Sequence, residues 1–204
     1  MDLSYNTLNI FPVPIHVFDI KPFDIKNDLI DYAYNLKEKD KFSTRRSNYG
    51  GWQSTPFYLN DRNDKLQNFL VNCLTSLPFI NQKTQIFPTA WVNINSPGSF
   101  NLKHSHPTSD LSGVLWIKCP KNCGNIWFES PMCYQTFKEI ESYTQDFKDK
   151  NRYDHSYWIP PMEGRIIIFP SHIEHDVREN LSNEDRISAS FNIKLENKKI
   201  VWLE

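Results

Sequence analysis

The sequence predicts a mainly β domain of the α+β kind, a sandwich or barrel of short strands with a helical N-terminal flank. Three observations predict it. Aromatic residues make up 14% of the chain and prolines outnumber glycines 13 to 6, a composition that packs large rings between extended segments. After Pro88, short extended runs succeed one another between turn residues. Before it, two segments carry helical spacing. With 204 residues, 39% of them hydrophobic, one domain can bury a sizeable core without staples. The expected organisation is therefore a single domain over 1–204: a strand and helical flank over 1–86, a β core over 87–195 and an insertion over about 135–156.

Taken in order, Ile10 to Ile20 alternates around two prolines and reads as an edge strand. From Asp24 to Asp40, Leu29, Ile30, Ala33 and Leu36 keep helical spacing, with Asp24 or Asn27 available to cap. Leu66, Phe69, Leu70, Cys73, Leu74 and Leu77 define one face of a second helix, which Pro78 ends. Between the helices, Ser47 to Ser54 (SNYGGWQS) sets two glycines side by side next to Trp52, the mark of a shaped loop.

The extended runs are Thr89 to Asn95, Phe100 to His106, Leu111 to Cys119, Asn125 to Glu129, Arg165 to Phe169 and Arg186 to Leu195. Pro97-Gly98, Pro107, Pro120 to Gly124 and Pro160-Pro161 separate them, which is the rhythm of an all-β sandwich or barrel. Gln135 to Ser156 breaks it. Rich in charges and aromatics, this segment is expected as a partly helical insertion with Phe137, Ile140, Tyr143 and Phe147 in an apolar stripe, either a lid or a plain surface excursion.

Charge and cysteine usage narrow the function classes. Lysine and arginine total 23 against 24 acids, so the overall electrostatic case for nucleic acid as partner is weak. No apolar run approaches the roughly 20 residues of a membrane span, and a cytoplasmic location is expected. Four cysteines in a chain this long do not make a disulfide framework. Cys119, Cys123 and Cys133 surround one turn, but without a Cys-x-x-Cys pair a structural zinc site is disfavoured.

Four of the six histidines fall in two short segments. In a strand, residues i and i+2 share a face, so His104 and His106 can offer two imidazoles to one point, and imidazole is the commonest metal ligand near neutral pH. Gly164 to Pro170 (GRIIIFP) reads as a buried strand with Ser171 to His175 (SHIEH) at its mouth, where His175 is well placed to close a site and His172 is a looser loop residue. His16 and His155 stand alone and read as structural. Arg186 to Leu195 (RISASFNIKL) alternates strictly. Its polar row either faces water or offers Arg186 and Ser188 as a forked grip on a carboxylate.

As an ordered set, these motifs resemble a known family. His104-Ser105-His106, a distant His175 and Arg186-Ile187-Ser188 look like the non-heme iron, 2-oxoglutarate-dependent oxygenases. More closely, SNYGGWQS, Trp91 with Asn93 and Asn95, His104-Ser105-His106-Pro107, Leu111-Ser112-Gly113, Phe169-Pro170-Ser171 and Arg186-Ile187-Ser188 with Asn192 resemble an oxygenase family of phages and marine bacteria, over about Ile10 to Leu195. The resemblance implies a double-stranded β-helix (jelly roll, cupin-like), with Fe(II), 2-oxoglutarate and O2 as cofactor and cosubstrates. It implies His104, His106 and His175 as iron ligands, and Arg186 with Ser188 on the far carboxylate of 2-oxoglutarate. A chain of this kind hydroxylates its substrate through a ferryl intermediate, here in the host cytoplasm if the chain is phage-encoded.

Further residues are expected around the cavity. Asn93 and Trp116 are candidates for the cosubstrate side, and Trp52 and Gln53 for the substrate side. The wider superfamily uses a carboxylate where this chain has His106. Asp110 is the nearest alternative, a candidate ligand, an orienting partner or a substrate-side group, although in a straight strand it would lie about 13 Å from His106. The substrate is expected to be a small molecule or peptide, and the protein a monomer or homodimer. Two other readings stay open at this stage: a cupin-like metalloprotein that needs no keto acid, and a β-sandwich binding module whose histidines are incidental.

Overall fold

The structure is a computed structural model that describes residues 5–7, 9, 12–59, 64–132 and 141–197. In chain order its elements are β1 (His16–Asp19), α1 (Lys26–Lys39), β2 (Asn48–Tyr49), β3 (Trp52–Gln53), β4 (Phe57–Tyr58), α2 (Lys65–Thr75), β5 (Thr84–Asn95), β6 (Phe100–His104), β7 (Leu111–Lys118), β8 (Ile126–Glu129), α3 (Gln145–Asn151), β9 (Ser156–Ile159), β10 (Arg165–Pro170), β11 (His175–Val177) and β12 (Arg186–Asn197). The larger sheet runs β1-β10-β7-β12-β5-β3, with β4 also on β5, and the smaller runs β2-β6-β11-β8-β9. The two antiparallel sheets form the jelly roll of a double-stranded β-helix.

Period-two alternation in the larger sheet decides where everything else goes. On β12, Ile187, Ala189, Phe191 and Ile193 join Ala90, Val92 and Ile94 of β5 in a core that the helices cover with Leu29, Ala33, Leu66, Leu70 and Leu74. The other face looks at the smaller sheet. There Val114, Trp116, Ile167 and Phe169 meet Ile126, Phe128 and Ile159 in a second core. Strand β10 belongs to both cores, which is why Ile166 to Phe169 is a continuous apolar run rather than an alternating one.

Local expectations hold for both helices, with differences at their starts. Asp64 caps α2 by accepting from the Gln67 N–H at 2.8 Å. Neither Asp24 nor Asn27 caps α1, whose N-cap position is Ile25 with no side-chain hydrogen bond. The first strand is shorter than its alternation predicts, His16 to Asp19, and Ile10 and Phe11 lie outside the described residues. SNYGGWQS is more than a loop: β2 pairs with β6 in the smaller sheet and β3 with β5 in the larger, so the glycine pair, with Gly50 at φ +72°, carries the chain from one sheet to the other.

The insertion is a surface excursion among the described residues. Thr144 caps α3, and Tyr143, Phe147 and Tyr153 pack on one another with ring centroids 4.7 to 6.2 Å apart. None of its described residues lines the space between the sheets. Phe137 and Ile140 lie outside the described residues, as does Cys133.

Gly113 on β7 pairs with Phe191 on β12, and a Cβ there would meet the Phe191 ring at 2.4 Å and the Ile167 carbonyl oxygen at 2.6 Å. Neither ring nor backbone can withdraw cheaply in a close-packed interior. Gly113→Ala is expected to cost about 1–3 kcal/mol of stability, read as a lower urea midpoint. An unchanged midpoint would contradict this packing.

Candidate metal and cosubstrate site

Strand pairing brings two of the histidines together. In the antiparallel ladder His104, the last residue of β6, sits directly opposite His175, the first of β11, and directly opposed residues project to the same face. His106 lies two residues beyond the strand, where its N–H donates to the Ser171 carbonyl at 2.8 Å and its own carbonyl accepts from Ser109. Ring centroids are separated by 4.4 Å (His104 and His175), 4.9 Å (His104 and His106) and 5.3 Å (His106 and His175). One nitrogen from each ring lies within 4.8 Å of the other two.

The second ring nitrogens set the tautomers. His104 Nδ1 lies 2.7 Å from the Leu102 carbonyl and His175 Nδ1 lies 2.9 Å from the Ile173 carbonyl. A carbonyl only accepts, so both Nδ1 atoms carry protons and both Nε2 atoms keep lone pairs. The Ser47 hydroxyl, 3.3 Å away, donates to the lone pair of His104. Beside His106 stands Asn192, with an amide 3.5 Å from Nδ1 that leads on through Ser112 to Ser171.

Burial keeps these rings neutral. Desolvation, with a smaller contribution from the neighbouring His104, pulls His106 down to about 4 and His175 down to about 3. His104 is lowered by the same burial. Three neutral imidazoles on one spot suit a divalent cation of the borderline, imidazole-accepting kind.

Arg186 is the second anomaly. It is 1% exposed and makes no ion pair among the described residues. Its Nη1 donates to the carbonyls of Cys123 and Arg178, while Nε and Nη2 have no partner. Burial lowers its pKa to about 10, which leaves it charged at neutral pH. Among the described residues seven buried side-chain atoms lack a hydrogen-bond partner, and five of them belong to residues that line one cavity: Asn93 Oδ1, Asn95 Nδ2, Trp116 Nε1 and the two guanidinium nitrogens. Four of the five are donors, and orphaned donors concentrated in one place mark a seat for an acceptor-rich ligand. An imidazole triad and an unsatisfied buried fork fit a divalent iron and a dicarboxylate.

Positions follow from register. Ser188 pairs with Asn93 on one side and Trp116 on the other, so these three and Arg186 stand in one patch of the larger sheet's inner face. Gln53 lines the same cavity, but Trp52 does not. As neighbours on β3 they face opposite ways, and Trp52 is buried towards the helices with its indole N–H donating to the Asp40 carbonyl. Asp110 is elsewhere as well: its carboxylate accepts from the Leu195 N–H at 2.7 Å, and it lies outside the histidine cluster and the cavity. The turn after Pro107 swings it onto β12 instead of towards His106. His172 is exposed, and His16 stacks on Phe79. The sequence offers Ser47, Ser112 and Ser171 only as members of motifs and gives them no role, because the pairing of distant strands alone creates their contacts.

Fold and site together define a non-heme metalloprotein with a dicarboxylate pocket. The family described as "Putative 2OG-Fe(II) oxygenase" matches residues 89–192, just over half of the chain, and the protein belongs to it: it is a 2-oxoglutarate- and Fe(II)-dependent oxygenase. No curated protein matches the sequence. Among solved structures, a Pseudomonas putida prolyl-4-hydroxylase is similar with a TM-score of 0.63 at 12% identity, covering 89% of this chain and 92% of its own. A Trichoplax adhaerens prolyl hydroxylase, solved with a hypoxia inducible factor peptide fragment, gives 0.60 at 12% identity over 88% and 83%. The carbocyclase SnoK from nogalamycin biosynthesis gives 0.59 at 12% identity over 93% and 84%. At such identities the likeness is one of fold. No helix among the described residues is long and apolar enough to cross a membrane.

The depressed histidine pKa values carry a stability signature. Unfolded, His106 and His175 take up protons near pH 6.5; folded, they do so only near 4 and 3. The unfolded state therefore binds more protons between those limits, and the stability present above about pH 6.5 is lost as pH falls. Urea midpoints of the metal-free protein are expected to drop from pH 7.5 to 4.5, with a shallower slope in His175→Gln. An equal slope in both proteins would contradict the burial argument.

Proposed function

We propose that the chain is a single oxygenase domain that holds Fe(II) on His104, His106 and His175 and grips the far carboxylate of 2-oxoglutarate with Arg186 and Ser188. Its outcome is hydroxylation of a small molecule or peptide. The observation that carries this reading is the buried Arg186 with its Nε and Nη2 edge free. A guanidinium taken out of water without a counter-charge is costly, and a carboxylate is the group its fork is shaped to receive. The same molecule shows that match once already: Arg165 binds the Asp19 carboxylate through Nε at 2.7 Å and Nη2 at 3.0 Å.

When bound, iron would let dioxygen act as the oxidant, with two electrons from the decarboxylation of 2-oxoglutarate to succinate and carbon dioxide and two from the substrate, one oxygen atom going to each. The chain's own residues bind, aim and exclude water. Leu102 and Ile173 carbonyls hold two imidazoles with Nε2 lone pairs towards the centre, as partners of ligating histidines commonly do. For His106, turning the Asn192 amide over in place lets Oδ1 accept from Nδ1–H while Nδ2 donates to Ser112. The Ser47 hydroxyl occupies the His104 lone pair that a bound ion would need. Trp116 and Asn95 offer N–H donors towards the cosubstrate side, and Asn93 is steadied by its bond to Ser190. Phe169 and Phe128 pack beside His175 and close the site on the sandwich side.

Anaerobic addition of Fe(II) and 2-oxoglutarate is expected to give a weak visible charge-transfer band. Arg186→Ala removes two charge-assisted hydrogen bonds, each worth about 1.5–3 kcal/mol, so 2-oxoglutarate should bind roughly 100-fold more weakly or worse. Fe(II) affinity should be little changed, which also reports an intact fold. Arg186→Ala binding 2-oxoglutarate as tightly as the wild type would overturn the assignment.

A further inference from the structure

The cavity between the sheets has a volume of about 810 Å³, and the described residues that line it include Arg45, Arg46, Lys103 and Arg186 but no aspartate or glutamate. This one-signed lining occurs in a chain whose acids outnumber its lysines and arginines by 24 to 23. Its members are not equivalent. Arg186 is the buried cation already assigned to the cosubstrate. Lys103 is neutralised by Glu129 at 3.0 Å. Arg45 and Arg46 remain: both are exposed at the mouth, and neither makes an ion pair among the described residues.

Their place on the chain ties them to the reacting centre. Arg46 precedes Ser47, whose hydroxyl lies 3.3 Å from His104 Nε2. At up to about 3.6 Å per residue, both arginine Cα atoms stand within roughly 7 Å of Ser47, and a guanidinium on a flexible stem reaches back over that distance. The strand pairing of Asn48 and Tyr49 with Asn101 and Phe100 anchors this segment to the histidine-bearing sheet. Trp91 and Pro107 add apolar surface to the same cavity, with the Trp91 ring 5.8 Å from that of His106. A cleft lined by one sign of charge concentrates counter-ions of the other sign, and a cavity of this size suits a small molecule.

We propose that the substrate is a small anionic molecule whose carboxylate or phosphate group is held by Arg45 and Arg46 while the carbon to be oxidised faces the three histidines. The inference rests on the oxygenase site described above. It assigns the two arginines to the substrate and leaves Arg186 to the cosubstrate, so two anions bind at different depths of one cavity. Exposed arginines are screened by salt, and the grip should weaken as ionic strength rises.

The test uses the full chain loaded with Mn(II) and saturating 2-oxoglutarate without oxygen, with inorganic phosphate and acetate as probes. Paramagnetic Mn(II) relaxes nuclei held near it. A saturable enhancement of the phosphate 31P or the acetate 13C relaxation is expected, larger for phosphate if the substrate is a phosphate ester and larger for acetate if it is a carboxylate. In the double variant Arg45→Gln with Arg46→Gln the enhancement should fall roughly tenfold or more, with Mn(II) retention and 2-oxoglutarate relaxation as in the wild type. No saturable enhancement of either probe, or an enhancement the double variant keeps, overturns the anionic substrate alone. Failure of the wild type to retain Mn(II) or 2-oxoglutarate sinks the oxygenase site and this proposal with it.

Discussion

The antiparallel register of β6 on β11 is the constraint on which the site depends. It sets His104 opposite His175 across the ladder, and no local preference of either segment could do so. Slipping the register by one residue would turn one imidazole to the far side of the sheet. His106 is then fixed by a loop that borrows the Ser171 carbonyl from the end of β10. Two chain segments some seventy residues apart thus meet within one sheet, and the cores on either side of the larger sheet hold that geometry in place.

Charge organises the rest of the cavity. Burial makes the imidazoles neutral and so available to a cation, while the same burial cannot neutralise a guanidinium at physiological pH. The interior therefore offers lone pairs at one point and an unsatisfied positive fork at another. In the reading proposed above, a dicarboxylate would answer both demands, with one end towards the histidines and the other on Arg186. Further out, the exposed arginines repeat the demand for an anion. The alternatives of incidental histidines and of a metal site with no use for a keto acid leave the orphaned fork of Arg186 without a purpose.

Much of this was legible in the sequence because alternation writes burial directly. Arg186 to Leu195 separates its apolar and polar rows residue by residue, and both rows end where the pattern puts them. His-x-His and a histidine at the mouth of a buried strand are similarly local signals. Less legible were features made by pairing alone. Strand β11 (HDV) is three residues long and mostly polar, and β9 (SYWI) is only four residues long at the end of a charged insertion. Trp52 and Gln53 looked equivalent until β3 paired with β5 and sent them to opposite faces. Asp110 looked available until the Leu195 N–H claimed it. Arg45 and Arg46 carried no motif; only the bridge of SNYGGWQS between sheets brings them to the cavity.

X-ray absorption of the Fe(II)-loaded protein tests the central claim most directly. The account predicts a first shell with scattering from three imidazoles that falls to two in His106→Gln, with no sulfur neighbour. A shell containing sulfur from Cys119 or Cys123, or one unaltered by the loss of His106, would contradict it.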